Sequence, residues 1–454
     1  MNITSLVCHL LELIIQPDRT TGPPDKLIAG FFKQRKYLGS HDRRFIADAF
    51  FGIIRHRRYI ESLLEGFVAN HPGTQALFES PGKFLAVYVV YSLILNSHSP
   101  PDQVVPAAYW KTYFPAISLE SFTHWITDHQ SLDFLEGDDS THWGVRFSFQ
   151  EWMVNSWKEV LGDETPRLLA ALNEQAPVTL RVNTLIADRD TCRLHLQNEG
   201  IGTQPTRISP AGLVVDKRFN AQSTSAFREG WFEVQDEGSQ LVSFLAEPRP
   251  GMTVIDGCAG AGGKSLHCAG LMNCTGRIYS LDVDQKKLSE LENRVRRGAK
   301  SIIETAIRTD DLVSSLHLKG DLVIVDAPCS GTGTIRRNPG VKWRVTEQLV
   351  HQFSRDQLSI LTGYAQCVKP GGRLVYSTCS LLPAENEAVV GEFLKTNPAF
   401  VLSPSGFSFQ GWSPDPGSHF IHLYPHRTGT DGFFVAIMKR EETNFASSDD
   451  NSYY

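Results

Sequence analysis

The sequence has few cysteines, no long apolar run and no excess of positive charge. Its 454 residues include only 8 Cys, none in a Cys-x-x-Cys pair, which excludes a disulfide scaffold and predicts a reducing compartment, the cytoplasm. No stretch approaches the ~20 uninterrupted apolar residues that cross a bilayer, and no export-signal pattern is found, so no membrane partner is expected. The net charge of −6 argues against a uniformly basic surface, although a local basic face remains compatible with it.

The composition that is present suits a chain of several folded domains. Hydrophobic residues make up 41% and charged residues 21%, which is typical of globular proteins. The length predicts about three domains. Residues 1–139 carry helical spacing, residues 145–245 mix helix and strand patterns as in a small α+β domain, residues 246–440 alternate strands and helices, and residues 441–454 form a polar tail.

The third part predicts a doubly wound α/β sheet. Four apolar runs end at Asp256, Asp282, Asp326 and Thr378, with helical segments between them. Strand–helix alternation implies parallel strands, and such sheets bind ligands at the carboxyl ends of their strands. The runs at 420–424 and 433–438 predict an antiparallel hairpin at one edge of the sheet.

The small-residue turn after Asp256 fits neither common phosphate-binding motif. A P-loop needs Gly where the chain has Cys258, and the dinucleotide pattern needs Gly where it has Ser265. An acidic strand end before a glycine-rich turn instead suits a cofactor with a cationic amino-acid head, S-adenosylmethionine, with a plain β–α turn as the alternative. Asp282 then has the spacing of a ribose-hydroxyl acceptor, and Asp310 of an acceptor for the adenine amino group.

Two cysteines follow adjacent strand ends. Cys329 and Cys379 lie among small polar residues, where a partly exposed thiol can be activated. Five of the other six cysteines are interpreted as small buried hydrophobic residues: Cys8, Cys192, Cys268, Cys274 and Cys367. A thiolate that adds to C6 of cytosine makes C5 nucleophilic toward a methyl sulfonium, and a second thiol can assist its release. Asp326 is expected to hold the base at N3 and its exocyclic amine, with Lys264 in support or as a solvated turn lysine.

These motifs together resemble the Sun/nucleolar-protein family of RNA cytosine-5 methyltransferases, of the bacterial Fmu (Sun) type. The matching segments are Asp326-Ala327-Pro328-Cys329-Ser330-Gly331, Ser377-Thr378-Cys379-Ser380, Lys369-Pro370-Gly371-Gly372, Asp431-Gly432-Phe433-Phe434, Ile335-Arg336-Arg337-Asn338-Pro339 with Lys342-Trp343, and Gln235-Asp236-Glu237-Gly238-Ser239.

The resemblance implies a Rossmann-like methyltransferase sheet behind a small α+β domain and an all-α front. It implies Cys379 as nucleophile and Cys329 as the cysteine that helps release product. It implies cofactor contacts from the following residues: Cys258, Ala259, Gly260, Ala261, Gly262, Gly263, Lys264, Asp282, Asp310 and Asp326. The chain departs from the family's Cys-Ala-Ala-Pro-Gly-Gly-Lys turn, because Ala-Gly-Ala-Gly replaces Ala-Ala-Pro-Gly, and loss of the Pro loosens the backbone.

The N-terminal helices resemble the NusB-like RNA-binding domain of bacterial members, through residues 40–45 and 51–55. Two basic groups then predict contact with RNA, by phosphate pairing and by stacking of one aromatic ring. The first group contains Lys33, Arg35, Lys36, Arg43, Arg44, Arg55, Arg57 and Arg58. The second contains Arg336, Arg337, Lys342 and Arg344 with Trp343. The alternative for the first group is a solvated helix face. Small-subunit (16S) ribosomal RNA is the family-level substrate, and a monomer is expected.

Alternatives from other classes remain at this level. A DNA cytosine-5 methyltransferase would use Cys329 as its nucleophile, a tRNA is a second candidate substrate, and the altered turn is the one feature that favours a non-catalytic rRNA-binding assembly factor. No metal is expected, because His419, His422 and His426 have no accompanying Cys or His-Glu pattern.

Overall fold

The fold was analysed in a computed structural model, which describes residues 2–15, 24–95, 104–130, 139–298, 301–409, 411–414 and 418–442. Residues 443–454 of the predicted polar tail lie outside these ranges. Within them, every helix is too short or too polar to traverse a lipid bilayer. Contacts divide the chain into two compact units, Met1–Glu174 with Thr334–Thr346, and Gln175–Gly333 with Glu347–Tyr454.

The first unit is helical. Its α-helices span Ile3–Ile15, Pro24–Gln34, Ser40–Arg55, Arg57–Asn70, Gly82–Leu95, Ala107–Tyr113, Leu119–His129, Ser140–Arg146, Glu151–Leu161, Thr165–Asn173 and Val341–Arg344. The helix Ser40–Arg55 shows the cause: Ile46, Ala49, Phe50 and Ile53 repeat at helical spacing and are all buried. The predicted helical character of the N-terminal part is confirmed.

This unit extends past the predicted boundary at residue 139. The three helices between 140 and 173 pack with the preceding ones, through hydrogen bonds such as Arg58 Nη1 to Phe149 O (2.7 Å) and Tyr59 N to Ser148 Oγ (3.0 Å). The helical periodicity at 150–173 therefore belongs to the helical unit by its contacts, although residues 145–245 were expected to form one α+β domain.

The second unit begins with a small antiparallel sheet. It contains β1 (Thr179–Val182), β2 (Thr203–Pro205), β3 (Gly212–Val215) and β4 (Phe232–Val234), in the order β2-β3-β1-β4. The helices Arg189–Asn198 and Ser225–Arg228 accompany it, and the helix Glu237–Ala246 follows it.

A second, larger sheet forms the rest of the unit. Its strands are β5 (Thr253–Asp256), β6 (Arg277–Asp282), β7 (Ile303–Ile307), β8 (Gly320–Asp326), β9 (Val368–Thr378), β10 (Phe400–Leu402), β11 (Phe420–Leu423) and β12 (Phe433–Arg440). The order is β10-β12-β9-β8-β5-β6-β7, with β11 paired to β12. Strands β5 to β9 pair in parallel, and β12 is antiparallel to β9.

Helices connect these parallel strands, so the predicted doubly wound α/β sheet is confirmed. They span Gly263–Leu271, Gln285–Arg297, Asp310–Ser315, Glu347–Ala365 and Glu387–Thr396, with a short one at Pro425–Thr428. The predicted pairing of β11 with β12 is present, but β12 also pairs with β9 and is not an edge strand.

The sheet is apolar on both faces. Alternate residues enter different cores: Val254 and Ile324 belong to one buried cluster, whereas Ile255 and Val325 belong to the other. A parallel strand covered on both faces reads as an uninterrupted apolar run. This explains why the strands were visible in the sequence as apolar runs, each of which reaches a polar residue at the rim of the sheet.

Candidate active site at the carboxyl ends of the strands

A polar cavity of about 340 Å³ lies at the carboxyl ends of the parallel strands. Three strand-end acids, Asp256, Asp282 and Asp326, line it together with the small-residue turn. Its remaining lining residues are Ser239, Cys258, Ala259, Gly260, Ala261, Gly263, Lys264, Lys287, Ala327 and Pro328. The structure thus brings most of the predicted cofactor residues to one cavity.

Gly260 and Gly262 give the turn its path. Their φ angles are +55° and +84°, a region that favours glycine. At Gly262 a Cβ would also lie 2.0 Å from a methyl carbon of Leu291. Gly262 is therefore required twice, by its backbone angle and by the close approach of the helix Gln285–Arg297.

Hydrogen bonds tie the turn to neighbouring elements. Gly260 N donates to Asp282 Oδ2 (2.8 Å), and Arg294 Nη1 donates to Ala261 O (2.6 Å). Arg294 is itself paired with Glu233 of β4 at 3.0 Å. Arg181 of β1, a buried side chain, donates to Gly263 O (2.5 Å). Strand β6, the helix Gln285–Arg297 and the small sheet thus all help to hold the turn in place.

Asp256 has one unused carboxylate oxygen facing this cavity. Oδ2 accepts from Ser265 Oγ (2.6 Å), whereas buried Oδ1 has no hydrogen-bond partner among the described residues. Burial raises the pKa of Asp256 to about 6 despite the Ser265 bond, and the charge of Asp326 adds to the shift. A buried acceptor without a donor suits the cationic head of S-adenosylmethionine, so the residues present fit this cofactor. The sequence signal was available, since Asp256 ends its strand, but Asp256 was not among the predicted contacts.

Lys264 and Asp326 form a partly buried ion pair. Lys264 Nζ lies 2.5 Å from Asp326 Oδ2, and Ser377 Oγ donates to Asp326 Oδ1 at 2.9 Å. The Lys264 side chain is only 7% exposed, against 30% for Asp326. Asp326 therefore keeps an accessible part, while Lys264 is not the solvated turn lysine that was the alternative.

The two predicted cysteines meet. Cys329 Sγ and Cys379 Sγ are 3.3 Å apart, and both side chains are half-buried. The hydrogen bond with Cys379 and burial raise the pKa of the Cys329 thiol well above its usual range. Gly333 N also donates to Cys379 O (2.8 Å), which ties the turn after β8 to the turn after β9.

Asp310 lies apart from the cavity-lining residues. It begins the helix Asp310–Ser315, is 86% exposed, and pairs with Arg308 at 2.6 Å. Its predicted contact with adenine stays a prediction.

The structure contradicts the predicted RNA contact of Lys342, a member of the second basic group. Lys342 is fully buried, and its ammonium donates to Arg55 O (2.9 Å), Ser148 O (3.0 Å) and Asn173 Oδ1 (2.5 Å). A lysine so enclosed is unavailable to an RNA phosphate. These acceptors lie at or just after the ends of three helices of the first unit, Ser40–Arg55, Ser140–Arg146 and Thr165–Asn173. Charge counting along the chain does not reveal such a tertiary arrangement.

Other basic positions divide between structural and exposed roles. Arg55 donates to three backbone carbonyls, those of Asn173, Glu174 and Arg336, and Arg43 Nε donates to Leu38 O. Arg336 is buried, and Trp343 Nε1 donates to Ile54 O (2.7 Å). Arg44, Arg337 and Arg344 are exposed, as are Lys33, Lys36 and Arg57. RNA contact is therefore open to these exposed members of the two basic groups.

Among the described residues, no three His, Cys, Asp or Glu side chains gather in a way that could hold a metal ion. His422 instead bonds Glu387 at 2.9 Å and stacks on Tyr424.

Comparisons with known proteins agree with this geometry. Residues 243–439 match the family described as 16S rRNA methyltransferase RsmB/F, and residues 149–222 match its ferredoxin-like domain. The latter range begins within helices that pack with the first unit, so its boundary follows sequence similarity and not contacts.

Two relatives and one solved structure extend the similarity over the whole chain. The probable ribosomal RNA small subunit methyltransferase B of Synechocystis sp. is 30% identical over 90% of this chain and 93% of its own length. The ribosomal RNA small subunit methyltransferase B of Salmonella typhi is also 30% identical, over 96% of this chain and 98% of its own. The crystal structure of PH0851 superposes with a TM-score of 0.74 at 27% identity, over 96% and 98% of the two chains. The chain therefore belongs to the RsmB/F family of 16S rRNA methyltransferases and is an S-adenosylmethionine-dependent methyltransferase.

Proposed function

We propose that the protein methylates C5 of a cytosine in 16S ribosomal RNA, with Cys379 as nucleophile and Cys329 in product release. The observation that carries the proposal is the 3.3 Å separation of the two sulfur atoms beside the Lys264–Asp326 pair. The names of the relatives support small-subunit rRNA as the substrate class.

The cavity residues are proposed to hold the cofactor at the turn. Asp256 and the turn from Cys258 to Lys264 receive its amino-acid part, and Asp282 its ribose, whose hydroxyls suit a strand-end carboxylate. When bound, S-adenosylmethionine supplies an electrophilic methyl group. The left-handed Gly260 and Gly262 in a turn that lines the cavity support cofactor binding over a non-catalytic assembly role.

The protein residues then act on the base. The Cys379 thiolate forms a bond to C6 of cytosine, and the electron pair displaced from the C5–C6 double bond makes C5 nucleophilic. Asp326 accepts from the exocyclic amine and orients the base, and the ammonium of Lys264 beside it offsets the negative charge that develops on the ring. After methylation, Cys329, whose own proton has passed to solvent, takes the C5 proton as a thiolate, the C5–C6 double bond re-forms, and Cys379 leaves C6 as a thiolate. The base must be single-stranded or flipped to reach the sulfurs.

A covalent-adduct experiment tests the assignment of the cysteines. Cys329→Ala with RNA and cofactor is expected to accumulate a protein–RNA adduct on a denaturing gel, whereas Cys379→Ala forms none. The reverse pattern, as in a DNA-type mechanism, would overturn the assignment. Cys367→Ala is the matched control, because Cys367 is buried in the core and is expected to behave as the wild type.

Bisulfite sequencing of ribosomal and transfer RNA tests the substrate. Cells without the protein are expected to lose one 16S rRNA 5-methylcytosine. Loss of a tRNA methylcytosine with an unchanged 16S pattern would transfer the proposal to tRNA.

A further inference from the structure

A buried carboxylate lies behind the two cysteines. Glu385 belongs to the short 3-10 turn Pro383–Glu385, just before the helix Glu387–Thr396, and is 0% exposed. Nothing in the motifs that identified the cysteines pointed to it. Burying an ionisable side chain is costly unless its charge is paired or fully hydrogen-bonded, so its partners indicate its role.

The Glu385 partners come mainly from the two cysteine turns. Ser330 N donates to Oε1 at 2.8 Å, and Ser380 Oγ donates to Oε2 at 2.5 Å. The Ser330 hydroxyl also donates to Oε2. Ser330 directly follows Cys329, and Ser380 directly follows Cys379, so one carboxylate bonds the neighbours of both sulfurs.

Residues around Glu385 reinforce the same two turns. Gln357 Nε2 donates to Glu385 Oε1 (3.0 Å) and to Pro328 O (2.9 Å), the carbonyl just before Cys329. Asn386 accepts from Thr378 Oγ1 (2.6 Å) and donates to Ser380 O (3.0 Å), on either side of Cys379. The backbone around each cysteine is thus held by a largely buried hydrogen-bond network centred on Glu385, of the kind that restricts local geometry.

The proposed chemistry needs such a constraint. Cys379 bonds C6 while Cys329 takes a proton from C5, the adjacent ring carbon, so both sulfurs must reach one base at the same time. Misplacement of a reacting group by about 1 Å can cost ~10²-fold in rate.

We propose that Glu385 is a positioning residue that holds Cys329 and Cys379 in register for successive action on one cytosine, an inference that rests on the proposed function. Glu385 also raises the proton affinity, and so the pKa, of Cys329, after the larger effects of the Cys379 hydrogen bond and burial, which suits the residue proposed to take the C5 proton. Glu385 is not among the residues that line the cavity. Gln357 connects it to one of them, because Gln357 bonds both Glu385 and the carbonyl of Pro328.

Glu385→Gln is the main test, with Glu387→Gln as the matched control. The amide of Gln has one oxygen and one NH2 group, so it can replace only one of the two carboxylate oxygens of Glu385, each of which accepts two hydrogen bonds. Glu387 lies outside this network and bonds His422 at 2.9 Å. We expect Glu385→Gln to lower kcat by about 10²-fold, to leave cofactor affinity and the KM for RNA within about threefold, and to accumulate adduct as Cys329→Ala does. Glu387→Gln is expected to match the wild type in all four.

The double variant Cys329→Ala/Glu385→Gln separates positioning from general damage. If Glu385 acts through the cysteine pair, the double variant releases adduct no more slowly than Cys329→Ala alone. Additive losses, or a Glu385→Gln variant that turns over like the wild type, would overturn the proposal. If Glu385→Gln fails to bind cofactor in a calorimetric titration, Ser380→Ala replaces it, with a smaller expected loss of release and the same non-additivity; full activity of Ser380→Ala would then count against the proposal.

The single-cysteine variants distinguish this inference from the proposed function. If Cys379→Ala still forms adduct, or the wild type makes no 5-methylcytosine, the assignment of chemistry fails. If those variants behave as expected and only Glu385→Gln does not, the chemistry stands and the positioning role alone fails.

Discussion

Two charged regions of the molecule differ in whether their charged groups keep hydrogen-bonding capacity for a ligand. One is the polar cavity at the carboxyl ends of the strands in the second unit, here called the crevice, and the other is the basic segment 334–346 of the first unit. In the crevice, Asp256 keeps a carboxylate oxygen without a donor, and Asp326 keeps 30% of its side chain exposed. In the basic segment, the Lys342 ammonium is enclosed by four protein acceptors. A charged group can bind a ligand only if some of its hydrogen-bonding capacity is not already used within the protein. The two regions differ more in this unused capacity than in the charge they carry.

Asp326→Asn should break the crevice side of this comparison with the largest effect. Asn keeps an oxygen that can accept from Lys264 but removes the carboxylate that is proposed to orient the base and that pairs with Lys264. We expect kcat to fall by about 10²–10⁴-fold, and the melting temperature to fall as well, because Lys264, only 7% exposed, loses its ion pair. Methyl transfer from labelled cofactor to RNA, alongside thermal unfolding, measures both.

Asp188→Asn is the control for this substitution. Asp188 caps the helix Arg189–Asn198 by accepting from Thr191 N, and Asn caps helices equally well. A rate for Asp326→Asn within threefold of this control would show that the crevice carboxylate is structural after all.

Lys342→Met should show the reverse pattern in the basic segment. It removes the donor to three carbonyls and one side-chain oxygen in a site where none can reach water, so we expect the free energy of unfolding to fall by roughly 2–4 kcal/mol. Denaturant unfolding followed by tryptophan fluorescence measures it, since Trp343 adjoins Lys342 in the chain.

Arg44→Gln is the comparison for Lys342→Met. Arg44 is 83% exposed, with one ion pair to Asp48 at 3.5 Å, so stability should not change measurably. RNA affinity should fall, and the salt dependence of binding should decrease by about one phosphate contact. A Lys342→Met protein of wild-type stability but with weaker RNA binding would restore the RNA role first predicted for Lys342.

The strands and the crevice were predictable because their signals are local. Each buried parallel strand is an apolar run that ends at a polar residue, and the topology brings these ends to one edge, so Asp256, Asp326 and the cysteines could be placed together from the sequence. The outcome for Lys342, Arg336 and Glu385 was not predictable in this way. Their roles depend on partners as distant along the chain as Arg55 and Ser148 for Lys342, and no local pattern distinguishes a lysine that meets four acceptors from a solvated one.

The smallest expected effect is a pH dependence of cofactor binding, and it is the most specific test of Asp256 in the crevice. Burial raises the pKa of Asp256 to about 6, so the carboxylate that would accept the cofactor's ammonium is mostly protonated below that pH. Affinity for S-adenosylhomocysteine, which carries the same amino-acid head, should therefore be about tenfold weaker at pH 5 than at pH 7, because the ionised fraction changes by that factor.

The raised pKa of Asp256 has the opposite effect on the stability of the ligand-free protein. A carboxyl group whose pKa is raised on folding stabilises the folded state below its ordinary pKa, and this contribution is lost as the pH rises through 6. Ligand-free protein should therefore gain stability from Asp256 at low pH while it loses affinity for the cofactor. Calorimetric titrations of the wild type and Asp256→Asn between pH 5 and 8 test this: the variant should bind weakly at every pH without the slope. A wild-type affinity that does not change across this range would mean that the unpaired Oδ1 does not face the cofactor's charge, and that the crevice, like the basic segment, uses this buried group only for its own fold.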